Sequence, residues 1–168
     1  STVKEYIENY KLKKFYNKVD KIGPEALKDS PYDNNKEVVL KVIEMEHIFR
    51  RDKENQGYGT SMVAEELARI DSYGKERKLQ PVMNKVYYSV NKLSLRDDLD
   101  VARKASKMLD GIESRFMGKD VLKDLEVAKN SIYWSTNNRN EDLSNFPALQ
   151  DNKELVMHAV YVDGENLK

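Results

Sequence analysis

From Leu95 to Met117 the apolar residues Leu95, Leu99, Ala102, Ala105, Leu109, Ile112 and Phe116 recur every three or four positions, with Arg103, Lys104, Lys107, Asp110 and Arg115 between them. Spacing of this kind draws one apolar stripe along an α-helix and leaves the charged groups on the opposite side. The run therefore predicts one helix, about 33 Å long at 1.5 Å per residue, able to form the spine of a bundle. Ser94 followed by Asp97 has the form of a capping box, and Gly118 closes the segment.

The same period recurs along the rest of the chain, with few strand signals. Over 2–22 the apolar positions begin as Val3, Tyr6, Ile7 and Tyr10 and continue as Leu12, Phe15, Val19 and Ile22. At about 100° per residue the two sets lie half a turn apart, so the helix either bends near Lys11 or buries two faces. Gly23-Pro24 stops it. Asn34 or Asn35 caps a second helix to about Lys53, with Val38, Val42, Met45 and Phe49 as its core face and Val39 and Ile43 alongside. Gly57-Tyr58-Gly59 interrupts the pattern. Helices follow with Val63, Leu67 and Ile70, with Val82, Val86 and Val90 after Pro81, and with Val121, Leu125, Ala128 and Ile132. Residues 135–152 are polar and carry only Leu143, Phe146, Ala148 and Leu149 for packing, which predicts a mobile loop. The last segment, 153–163, fits a helix, although Val160-Tyr161-Val162-Asp163-Gly164 also fits a strand entering a turn. The fold expected is all-α, a single-domain bundle of six or seven helices over 1–168.

Composition removes most chemistry from such a bundle. The 168 residues include 29 basic and 29 acidic side chains, no cysteine and only two histidines, His47 and His158. Without thiols there is no disulfide framework, thiolate zinc site, iron-sulfur cluster or cysteine nucleophile. The longest nearly apolar run, Leu155 to Val162, is far short of the roughly 20 residues a membrane span needs. The opening residues lack the apolar stretch of a secretory signal, and a cytoplasmic setting without membrane contact is expected.

Glu44-Met45-Glu46-His47 contains Glu-x-x-His, the i, i+3 spacing used by carboxylate-bridged dimetal bundles. That chemistry needs a second such motif, and His158 has Leu155 at i−3. With Val38, Val42, Met45 and Phe49 inward, His47 and Glu44 also point to solvent. Glu44, His47 and His158 are thus the candidate metal ligands, but no metal or other cofactor is expected. No nucleophile elbow or phosphate-binding glycine loop occurs. Asp97, Asp98 and Asp100 suit a helix N-terminus without any bound ion.

Tyrosine supplies ten of the fifteen aromatic residues. Its ring can be buried while its hydroxyl stays wet, which suits interfaces. Tyr6, Ile7, Tyr10 and Phe15 are interleaved with Lys11 and Lys14 on the first helix, and these six form the candidate interface. The leading functional expectation is a non-enzymatic interaction or assembly protein that self-associates. A metal-binding or redox bundle is the first alternative and a nucleic-acid accessory protein the second. Zero net charge removes the general pull toward nucleic acid, so none is expected as partner.

Overall fold

The computed structural model describes residues 2–55, 93–109, 111–135 and 141–166. The protein is all-α, and no strand occurs among the described residues. They hold five α-helices of ten residues or more, where six or seven were expected from the whole chain: α1 (Thr2–Ile22), α2 (Lys36–Asn55), α3 (Leu99–Met108), α4 (Leu125–Ser135) and α5 (Lys153–Asn166). A single helical turn at Leu93–Arg96 and five short 3-10 turns link them. The expected Gly57-Tyr58-Gly59 turn and the helices around Val63–Ile70 and Val82–Val90 lie outside the described residues.

α1 is one unbroken helix. Gly23 ends it at φ 80°, a conformation open to glycine, and its amide closes on the Val19 carbonyl at 2.8 Å. Asn35 caps α2, its Oδ1 accepting from the Val38 amide at 3.1 Å. The face α2 buries is Val38, Val39, Val42, Ile43 and Glu46, while Met45 and Phe49 are only half-buried. At about 100° per residue this face is rotated by roughly 60° from the Val38, Val42, Met45 and Phe49 stripe, toward the Val39 and Ile43 flank. Two β-branched pairs, Val38-Val39 and Val42-Ile43, carry more apolar surface than the Met45–Phe49 edge, so packing centres on them.

The long helix expected over 95–117 is divided. At its start the Asp98 side chain accepts from the Val101 amide at 3.1 Å and caps α3 there, so the chain does not run through from Leu95. Asp97 turns away and accepts from the amides of Asp120 and Val121 at 2.8 and 3.2 Å. Asp98, bonding the amide three residues on, competes with helix continuation, and Asp97 is committed to amides more than twenty residues away. At the other end Gly111 adopts φ 81° and its amide reaches back to the Ser106 carbonyl at 2.9 Å, a left-handed closure after Leu109. Leu109 and Ile112 are fully buried as expected, but on a turn; Leu99 and Phe116 are half-buried. Ser131 on α4 holds that turn by accepting the Ile112 amide at 3.1 Å.

One buried cluster draws on every described helix: Phe15 and Val19 from α1, Val39 and Ile43 from α2, Val101 and Ala105 from α3, Val127 and Ile132 from α4, Leu155 from α5. Within the connection expected over 135–152, residues 136–140 lie outside the described residues. Residues 141–152 form two 3-10 turns. Asp142 accepts from the Ser144 amide at 2.8 Å and donates its own amide to Asn145 Oδ1 at 3.0 Å, and Phe146 is fully buried. Asn152 then caps α5 by accepting from Leu155 at 3.0 Å, and the last segment is helix, not strand. No helix among the described residues is long and apolar enough to cross a membrane.

Candidate functional site

α1 has two halves with different surroundings. From residue 12 onward it packs inward through Leu12, Phe15, Tyr16, Val19 and Ile22. Its first nine residues are exposed throughout. Val3, Tyr6, Ile7 and Tyr10 leave 73, 72, 45 and 60% of their surface in solvent. The half-turn offset between the two apolar sets is thus resolved without a bend: one set is in the core and the other is left open. Phe15, expected at the interface, belongs to the core instead. It is 8% exposed, with its ring centroid 4.8 Å from Tyr32 and 5.8 Å from Tyr16. Its place on the helix explains this, since it lies one turn from Val19 and on the same side. Burial, with Tyr32 and Glu37 close by, raises the Tyr16 hydroxyl above its ordinary value.

Beyond residue 10 the open face of α1 becomes basic and borders a groove of about 760 Å³. One wall is α1, presenting Lys11, Lys14, Lys18 and Lys21. The other is the segment from Ala26 to Tyr32, which returns alongside the helix and adds Lys28. That return turns on Asp29, at φ 60°, and is held by the Ser30 amide on the Leu27 carbonyl at 3.0 Å. The floor is carbon: Phe15, Ile22, Ala26, Pro31 and Tyr32. Lys11 lies 3.9 Å from Glu8, whereas Lys14, Lys18 and Lys28 have no carboxylate partner among the described residues. Of the lysines clustered in the sequence, Lys13 takes no part in the lining. Lys28 and Tyr32 were invisible to periodicity because a turn, not a helix, brings them to the site.

Of the Glu-x-x-His motif, Glu44 keeps 44% of its side chain in solvent, as expected, whereas His47 is half-buried. The rotation of α2 turns Glu44 and His47 toward α3, where Glu44 pairs with Lys104 and His47 Nδ1 lies 3.1 Å from the Met108 carbonyl. The Lys104 ammonium holds the Glu44 carboxyl below its ordinary range. Glu46 is 2% exposed and meets Arg50 Nε at 3.3 Å. His158 sits on α5, its Nε2 at 2.9 Å from the Lys129 carbonyl and its ring 6.4 Å from that of Tyr133. The histidines occupy different contacts and each ring has a backbone partner. Among the described residues no three histidine, aspartate or glutamate side chains converge as a metal site would require. Asp97, Asp98 and Asp100 serve local structure, the last meeting Lys36 at 2.7 Å.

A second cleft, about 370 Å³, lies among α3, α4 and α5 and is equally rich in charge. Its cations are paired: Arg103 with Asp124 at 2.6 Å and Glu126 at 3.8 Å, and Lys129 with Glu154 at 2.9 Å. A second exposed apolar set, Met157, Val160 and Tyr161, lies on α5. No protein-family description, curated protein or solved structure matches this chain.

Proposed function

We propose that this is a non-enzymatic interaction or assembly protein, and that copies of it associate through the exposed first half of α1. The observation that carries the reading is the set Val3, Tyr6, Ile7 and Tyr10, four large side chains left in solvent on a helix whose other half is anchored in the core. Apolar groups at i, i+3, i+4 and i+7 are the pattern by which a helix recognises a second helix. The set is also symmetric about its own centre. Laid antiparallel on a second copy, Val3 meets Tyr10 and Tyr6 meets Ile7, so each large ring faces a smaller neighbour. This orientation sends the two lysine-bearing halves in opposite directions, whereas a parallel pair would bring like charges together. A two-fold contact of this kind closes on itself.

Four side chains fall short of the roughly 800 Å² per partner typical of stable complexes, so the association is weak and depends on concentration. A cytoplasmic setting goes with this reading, since small secreted domains commonly use the cysteines this chain lacks. Sedimentation velocity over a wide concentration range tests it. The wild-type protein should shift toward dimer as concentration rises, with little response to salt, because apolar burial is not screened. The double substitution Tyr6→Ser, Ile7→Ser should abolish the shift, and Lys14→Glu should leave it intact. A monomer at every concentration, or an association removed by Lys14→Glu and by salt, overturns the reading.

A further inference from the structure

The groove beside α1 is lined by none of the four side chains assigned above to self-association. We propose that it binds an acidic amphipathic helix of a partner protein, with apolar side chains on the carbon floor and carboxylates along the lysine rim. Charge complementarity is the first support: five lysines line the groove against the single carboxylate of Asp29. Lys14, Lys18 and Lys28 have no anionic partner among the described residues, so the field they create is available to a ligand.

Spacing is the second support. Lys11, Lys14, Lys18 and Lys21 follow one another at i, i+3, i+7 and i+10, a stripe about 15 Å long. Carboxylates repeating along one edge of a facing helix have the same period. A single phosphate or small anion would call for donors converging on one point, with the forked geometry of arginine or a set of backbone amides. Among the described residues no arginine lines the groove, and its ammonium groups are spread along its length. The floor is the third support. Phe15 is almost buried and its ring lies tilted at 47° to that of Tyr32, so the groove does not offer the succession of open ring faces on which a single strand stacks its bases. Apolar side chains of a helix need only a carbon surface, which Ile22, Ala26 and Pro31 extend.

A displayed library of random peptides about 15 residues long, enough for four helical turns, tests the assignment. Selection on the full chain should enrich sequences with apolar residues at i, i+3 or i+4, and i+7, flanked by glutamate or aspartate. The strongest peptide, made synthetically and followed by fluorescence anisotropy, should bind at least tenfold more weakly to Lys14→Glu, Lys18→Glu, Lys28→Glu. Binding to the corresponding triple glutamine variant should weaken less than to the glutamate one. The exposed positions of these lysines keep both variants folded, which circular dichroism checks. Tyr6→Ser, Ile7→Ser should bind the peptide as the wild-type chain does, so failure of the dimer and failure of the groove are read separately. No enrichment, enrichment of neutral or basic peptides, equal binding by the glutamate variant, or tighter binding of an oligothymidine strand each overturns the proposal.

Discussion

Two clefts on this bundle are lined by charged side chains and differ in how those charges are matched. Among α3, α4 and α5, Arg103 lies on Asp124 and Glu126 and Lys129 on Glu154, so each cation of the cleft is matched by a carboxylate. Beside α1, Lys14, Lys18 and Lys28 stand without carboxylates among the described residues. The apolar residues of the same regions divide the same way: α3 buries Val101, Ala102 and Ala105 completely, while α1 leaves Val3, Tyr6 and Tyr10 mostly in water. Counting charged or apolar residues would rank these regions together. Asking which groups already have partners separates a region spent on folding from one free for recognition.

The sharpest test of that contrast is stability. Leu109→Ala removes a fully buried side chain and should cost about 2 to 5 kcal/mol in urea unfolding. Tyr6→Ala, on the open face, should change stability by no more than about 0.5 kcal/mol. A loss below about 1 kcal/mol at Leu109, or above it at Tyr6, would erase the distinction. The next effect concerns pairing. Asp124 accepts from the Val127 amide at 3.1 Å while holding Arg103, so Asp124→Ala should cost about 1 to 3 kcal/mol through lost capping and a broken charged hydrogen bond. Lys18→Ala, with no partner to lose among the described residues, should be close to neutral by the same measurement.

His47 gives a smaller effect of the same kind. A solvent-facing ring could be removed without consequence, whereas one set against the Met108 carbonyl should cost about 1 kcal/mol when replaced by alanine. An unchanged melting temperature in His47→Ala would return the histidine to the surface.

Titration separates the paired carboxylates from the buried one. Burial raises the Asp124 carboxyl, but the Arg103 guanidinium and the Val127 amide outweigh it and hold the group below its ordinary 3.8. Its contribution is therefore present above about pH 4 and is lost as pH falls through the lower folded value. Glu141 is the reverse case: burial raises it above 4.5, although its Oε1 accepts from the Ser114 amide at 2.8 Å. Its contribution is greatest below the unfolded value and declines as pH rises through the folded one. Melting curves of Glu141→Gln should accordingly show a gain over the wild-type chain near about pH 7 that vanishes near about pH 4. A gain that is the same at both pH values would show that ionisation is not its cause.

Much of the fold was legible along the chain. The limits of α1, the glycine that stops it, the asparagine cap of α2 and the buried Leu109 and Ile112 all follow from local stereochemistry and period. The candidate site was legible only in part: Tyr6, Ile7, Tyr10, Lys11 and Lys14 lie on its exposed face as expected, but Phe15 is in the core, and Lys28 and Tyr32 of the groove carried no signal. The error at Phe15 came from neighbourhood in sequence, since it stands next to Lys14 yet points about 100° away on the helix.

Sequence alone determined that this chain is all-α, because apolar period and capping chemistry act over a few residues. It also determined that cysteine chemistry is absent, which needs no coordinates at all. Tertiary structure alone decided where the apparent long helix divides, because Asp97 finds its amides at Asp120 and Val121, distant in sequence. It alone decided the rotation of α2 that turns Glu44 and His47 toward α3. It decided, too, which of two apolar faces on α1 would be covered. Each face satisfies the same helical period, and a period records only that a face exists; whether it is buried depends on what the rest of the chain brings against it.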